Sequence, residues 1–326
     1  MIFFITCLRA LAAIVITNSH YTGVYPTDLI ANGGLLGDIV FFAVSGYCLF
    51  NVKGSFPKWY GKRIYRIYPP VIIITTIYLV TGAYDLNKFS FLGWFIYPTN
   101  YHFIGSIIFL YILYYIVMKV QVLRNHLELV MFGVFIVWLS IYIFVYDKSY
   151  YHIDNVYEYI IRFLFFESML LGAWFRKEDK KFRNTKHKVL LFLASVVTAS
   201  VYFASKILFV RFEKIAFLQI LNPIAIFITL FFVFAFFSSV DSKLEQLPKA
   251  LKAIIKFLSD ITLEIYVVQV PIIAFIKPIG HFPLNWLAIT VSIVVSAWLL
   301  HEVCKLFYKA CASLAGLFKR LRMIDE

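Results

Sequence analysis

Charge is what this sequence has least of. Asp, Glu, Lys and Arg make up 15% of its 326 residues, against roughly a quarter in soluble domains, which excludes a chain whose whole surface meets water. Acidic residues are scarcer still, 18 against 31 basic ones. The four cysteines, Cys7, Cys48, Cys304 and Cys311, follow no disulfide framework, and neither they nor the scattered histidines have the spacing of zinc ligands, so no metal site is expected. No low-complexity tract breaks the chain, and no period of about 20 to 50 residues marks a repeat array.

What fills the sequence instead is apolar: 62% hydrophobic and 19% aromatic residues, with a mean hydropathy of +0.81. Runs able to cross a hydrocarbon layer of about 30 Å recur throughout, separated by short polar stretches, the pattern of helices rather than of a barrel. The expected fold is all-α: a polytopic transmembrane helical bundle of about ten spans, forming one membrane domain over residues 1–326. The spans fall at 3–20, 36–52, 67–83, 104–119, 128–146, 157–175, 189–206, 219–238, 258–276 and 286–304. The first lacks the charged start of a secretory signal and is interrupted by Arg9, so it reads as a retained span.

With the amino terminus inside, segments 53–66, 119–126, 176–188, 239–256 and 305–326 hold 23 of the 31 lysines and arginines and the outer loops six. The positive-inside rule then puts both termini in the cytoplasm, within the cell membrane. These basic loops suit the anionic headgroups of membrane lipids, and nucleic-acid binding is not needed to explain them. All four cysteines fall at or beyond cytoplasmic span ends, where thiols stay reduced.

An ionisable side chain inside a span is costly and usually has a partner or a role. In "LRALAAIVITNSH" Arg9 and His20 are eleven positions apart, which on a helix puts them on one face with about 16 Å between them. His20, at the outer end, can serve as general base or simply sit in interfacial water. Asp38, in "GGLLGDIVFFAVSGY", can cap a helix or orient a histidine, and Ser45 shares its stripe. Gly37 and Gly46 permit close helix approach. Arg63 and Arg66, in "KGSFPKWYGKRIYRIYPP", lie one turn apart and can either fork onto phosphate or be plain basic flanking, with Pro69 and Pro70 stopping or stiffening the turn. Glu167 and Glu264 need partners from other helices, for which Arg9 and Arg162 are the available cations. His301 and Glu302, at an inner span end, read as wetted.

Together these pieces resemble the acyltransferase-3 family, membrane-bound O-acyltransferases that act on glycans and other hydroxyl acceptors. "LRALAAIVITNSH" is similar to the family's Leu-Arg followed eleven positions later by His, and "GDIVFFAVSGY" to its aromatic pair before Ser-Gly-aromatic. "KRIYRIYPP" resembles its Arg-x-x-Arg-hydrophobic-x-Pro loop, and "LSDITLEIYVVQVPII" its late Ile-Tyr-Leu-x-His-x-Pro segment. "HFIGSIIFLY" is similar to the Trp-Phe-led fourth span of some branches. Two departures stand out: Gln269 occupies the place of the late His, and the fourth span lacks the glutamate of the Trp-Ser-Leu-x-x-Glu branch.

The resemblance implies acyl-coenzyme A as donor, usually acetyl-coenzyme A, and as acceptor a hydroxyl of a glycan or of its lipid-linked saccharide precursor. It assigns catalysis to His20, an essential in-span position to Arg9 and donor recognition to Arg63 and Arg66. Asp38 joins the catalytic set as the carboxylate that would orient a histidine. The alternative from another class is a transporter or flippase for a glycolipid or small solute, with Arg9, Glu167 and Glu264 along its pathway.

Overall fold

The computed structural model describes residues 2–183 and 185–322; residues 1, 184 and 323–326 of the expected domain lie outside it. Every regular element among the described residues is helical. Eleven helices of twelve or more residues order the chain: α1 (Phe3–Ser19), α2 (Gly34–Leu49), α3 (Phe56–Val80), α4 (His102–Lys119), α5 (Leu127–Phe144), α6 (Ile161–Lys177), α7 (Lys188–Arg211), α8 (Leu221–Ser239), α9 (Lys249–Asp260), α10 (Thr262–Ile276) and α11 (Leu284–Arg322). Each expected span overlaps one of these helices, α9 being the additional one. Among the described residues, seven stretches are long and apolar enough to cross a membrane, those of α3, α4, α5, α7, α8, α10 and α11. The apolar helices α1 and α2 have 17 and 16 residues, close to the lower limit of about 17 for a span. In α6, four charged residues, Arg162, Glu167, Arg176 and Lys177, dilute the apolar run.

α1, α2 and α6 form the centre of the bundle. α2 crosses α6 so closely that a Cβ on Gly46 would overlap the Met169 carbonyl oxygen, and one on Gly172 that of Ala43. Small residues at such a crossing allow backbone contact, and dispersion over that contact replaces the hydrophobic drive that lipid does not supply. On the opposite side Gly37 admits α1, where a Cβ would stand 2.6 Å from Ile16 Cγ1. Phe42 stacks on Phe165 with ring centroids 4.4 Å apart and extends this core outward from the crossing. α5 and α7 lie at the periphery with most of their apolar side chains exposed, as lipid-facing helices should.

Two boundaries differ from the sequence expectation. Pro69 and Pro70 do not end a turn: they lie inside α3, which begins at Phe56 and carries the supposed inner loop as its first turns. Proline removes a backbone donor, so the Arg66 carbonyl lacks its helical partner at Pro70 and accepts the Tyr308 hydroxyl instead, at 3.2 Å. The expected ninth span is split between Asp260 and Thr262. Only its first three residues belong to α9, a separate helix that carries Lys249, Lys252 and Lys256 and packs on α1, as an amphipathic helix in the membrane interface would.

A two-level candidate active site

The expected site residues gather at two depths of one helix cluster. At the inner level α1, α2, α3, α4, α10 and α11 enclose a cavity of about 480 Å³, into which Arg9, Arg63 and Arg66 all project, together with Lys62 and Lys305. Because α3 is helical from Phe56, Arg63 and Arg66 stand one turn apart on a rigid element. The Arg63 guanidinium lies 4.2 Å from the centre of the Trp59 ring, and its Nη1 donates to the Trp59 carbonyl at 2.7 Å. Its orientation is therefore set before any ligand arrives.

Arg9 has no carboxylate within ion-pair distance among the described residues. The charges that reach it are those of Arg66, Asp260 and Glu264, and both acids are engaged elsewhere. Asp260 pairs with Lys256, while Glu264 accepts a hydrogen bond from His301 Nδ1 at 2.7 Å. This corrects two expectations: the carboxylate of Glu264 goes to a histidine rather than to Arg9 or Arg162, and His301 is a paired side chain rather than a wetted end. Glu167, 3% exposed, is without an ion pair among the described residues, and its Oε1 has no hydrogen-bond partner there. Arg162 spends one donor on the Val156 carbonyl. The inner cavity thus gathers three guanidiniums and two lysines beside Asp260 and Glu264, with no carboxylate within ion-pair distance of Arg9 among the described residues, and can receive an anionic ligand.

At the outer level His20 ends α1, its N–H bonded to the Thr17 carbonyl at 3.1 Å. The following loop is tied back by Asn18, whose side chain donates to the carbonyls of Ile30 and Asn32. Asp38 and His102 are the ionisable groups that act on the His20 ring. Asp38 does not cap α2, which starts a turn earlier with Gly33 in the left-handed region at its cap. Instead Asp38 Oδ2 lies 3.4 Å from His102 Nε2, and His102 Nδ1 lies 3.3 Å from the Tyr266 hydroxyl. That hydroxyl also accepts the Phe103 N–H at 3.2 Å. With the carboxylate accepting from Nε2–H, Nδ1 is left to accept from Tyr266, so the surroundings select one tautomer. Asp38 therefore orients a histidine, and that histidine is His102. Sequence reasoning passed over His102; the signal was a titratable ring in place of the tryptophan that leads the similar fourth span.

A smaller pocket of about 10 Å³ adjoins the inner cavity. It shares Phe41, Phe103 and Leu263 with the inner cavity and Tyr266 with the outer cluster, and Thr17, Thr262 and Gln269 complete its polar lining. The site thus combines a basic cavity, a small adjoining pocket and a histidine–carboxylate cluster that shares Tyr266 with that pocket.

The fold and this site define a membrane-embedded helical protein with its polar chemistry inside the bundle. The acyltransferase domain model Acyl_transf_3 matches residues 2–302, and the chain belongs to that acyltransferase family. Comparison with curated proteins and with solved structures returned no match.

Proposed function

We propose that this protein is a multi-pass O-acyltransferase of the cell membrane, with ten spans and both termini cytoplasmic, that moves an acetyl group from acetyl-coenzyme A to a hydroxyl of a glycan or a lipid-linked saccharide. The observation that carries this reading is Arg9, without an ion-pair partner among the described residues, sharing one cavity with Arg63 and Arg66 beneath His20. Coenzyme A brings several phosphate charges, each a strong acceptor for guanidinium donors. Its pantetheine arm, on the order of 15 to 20 Å when extended, matches the roughly 16 Å that α1 sets between Arg9 and His20. The phosphates then stay in the basic cavity while the thioester reaches the outer cluster.

There His20 takes the proton of the acceptor hydroxyl as its oxygen attacks the thioester carbonyl carbon. Asp38 fixes the tautomer of His102 and adds negative charge near His20, which favours the imidazolium formed during attack. The transport alternative requires Arg9, Glu167 and Glu264 on one path, whereas only Arg9 and Glu264 line the inner cavity. The deciding experiment incubates purified protein in nanodiscs with acetyl-labelled acetyl-coenzyme A and candidate lipid-linked glycans. Label on a saccharide, absent with His20→Ala, supports the enzyme; movement of unmodified solute across vesicles without label transfer would overturn it.

A further inference from the structure

The small pocket beside the inner cavity contains polar side-chain atoms with no hydrogen-bond partner among the described residues. Gln269 is completely buried, and neither its Oε1 nor its Nε2 has a hydrogen-bond partner among the described residues. Thr17, 8% exposed, leaves its Oγ1 equally unpaired. Buried polar side chains are nearly always hydrogen-bonded. Here two that are not come from different helices, α10 and α1, and line the same pocket. A space of about 10 Å³ holds about one water-sized group; the rest of the lining is mainly apolar (Ala13, Ile16, Phe41, Phe103, Leu263 and Ile265), and its other two polar residues are already engaged, Thr262 with the Leu258 and Ser259 carbonyls and Tyr266 with His102. Thr17 precedes His20 by three residues, which puts it about 4.5 Å below on the donor side.

We propose that Gln269 and Thr17 form the oxyanion site of acyl transfer, the Gln269 amide and the Thr17 hydroxyl donating to the thioester carbonyl oxygen at the end of the donor's arm. This rests on the acyltransferase reading above. A thioester and the neighbouring amide of its arm offer one acceptor and one donor, the complement of a carboxamide. In the first half of the step the acceptor oxygen bonds to the carbonyl carbon, its proton passes to His20, and the carbonyl electron pair moves onto the oxygen held by Gln269 and Thr17. In the second half the C=O bond re-forms and the C–S bond breaks. Sulfur leaves with the pair and takes the proton from His20, giving ester and thiol. Donors aimed at an oxygen that gains charge are worth more in a dry site than in water, and the apolar lining supplies that dryness.

The test compares two coenzyme A analogues on protein in nanodiscs: acetonyl-coenzyme A, a ketone that cannot transfer, and S-propyl-coenzyme A, in which a methylene replaces the carbonyl. Wild type should prefer the ketone by about tenfold, the worth of one hydrogen bond. In Gln269→Leu, with Thr17 as the one remaining donor, this preference should fall to about two- to threefold while S-propyl-coenzyme A binds as before, and acetyl transfer should fall about 100- to 1000-fold in kcat. Gln269→His, which keeps a ring N–H, should retain the preference. The unliganded Gln269→Leu protein should melt no lower than wild type, since an unpaired amide is replaced by an apolar group of similar shape; a merely structural glutamine would lose stability instead. Thr17→Val provides an independent variant, expected to weaken the preference in part. An undiminished ketone preference in Gln269→Leu, or equal loss of affinity for both analogues, would overturn the oxyanion site alone. Failure of wild type to bind either analogue would overturn the acyltransferase reading together with it.

Discussion

Replacing Arg9 by glutamine distinguishes a ligand-binding arginine from one that holds the bundle together. If Arg9 were half of a buried ion pair, its removal would strand a carboxylate and cost about 3–5 kcal/mol. In the structure no carboxylate lies within ion-pair distance of it among the described residues, and its nearest acids pair with His301 and Lys256. The unliganded variant should therefore lose less than about 1 kcal/mol, since no charge is stranded and the repulsion from Arg66 is relieved. Ligand binding should respond very differently. One charge-assisted phosphate contact is worth about 1.5–3 kcal/mol, which raises Kd about 10- to 150-fold.

The consequence can be read as a thermal shift. With coenzyme A at about 100 times the wild-type Kd, binding stabilises the native state by about 2.7 kcal/mol. A 30-fold weaker variant at the same concentration keeps about 0.9 kcal/mol. At about 2 °C per kcal/mol for a chain of this length, the expected rise in Tm is about 5 °C for wild type and under about 2 °C for Arg9→Gln. The assay is differential scanning fluorimetry in nanodiscs, with and without coenzyme A. An unliganded variant destabilised by several kcal/mol would show Arg9 to be structural, and an undiminished coenzyme A shift would remove Arg9 from the donor site.

The double variant Arg63→Ala, Arg66→Ala should weaken acetyl-coenzyme A binding further than either single change, with lysines restoring it only in part; isothermal titration gives the comparison, and unchanged affinity would return both residues to membrane flanking. Asp38→Asn should lower kcat at least about tenfold with little change in donor Kd, because an amide no longer selects the His102 tautomer; equal effects on both constants would refute this. Gly46→Ala should destabilise by about 1–3 kcal/mol or more, because the obstacle is the Met169 carbonyl and backbone cannot rotate away. Gly172→Ala should add less than its own cost to that variant, since both act at one crossing; thermal denaturation in detergent measures both. Single cysteines at Ser149 and Lys180, both exposed, should label from outside and inside respectively, and reversed labelling would invert the proposed orientation.

The sequence by itself determined the elements and some of their faces. Apolar run length is a local property, so the ten expected spans each meet a helix. Helix geometry alone put Arg9 and His20 on one face and Arg63 and Arg66 one turn apart, and the spacing of those motifs also carried the family. Gly37 and Gly46 were legible as close-approach positions, although which helix each would admit was not. Even the continuation of α3 through Pro69 and Pro70 escaped a local rule, because a hydroxyl on α11 satisfies the carbonyl that proline leaves open.

Only the tertiary structure decided the partnerships. Asp38 meets a histidine 64 positions away and Glu264 one 37 positions away. Arg9 was expected to find an acid, and among the described residues none lies within ion-pair distance of it. Gln269 and Thr17 converge from helices far apart in sequence. Hydropathy reports how deep a residue lies along its own helix, but the lateral order of helices and their rotation about their axes depend on which apolar surfaces interlock. In a chain apolar on nearly every side, that is settled by packing contacts such as the crossing at Gly46 and Gly172, and those contacts exist only once the bundle has formed.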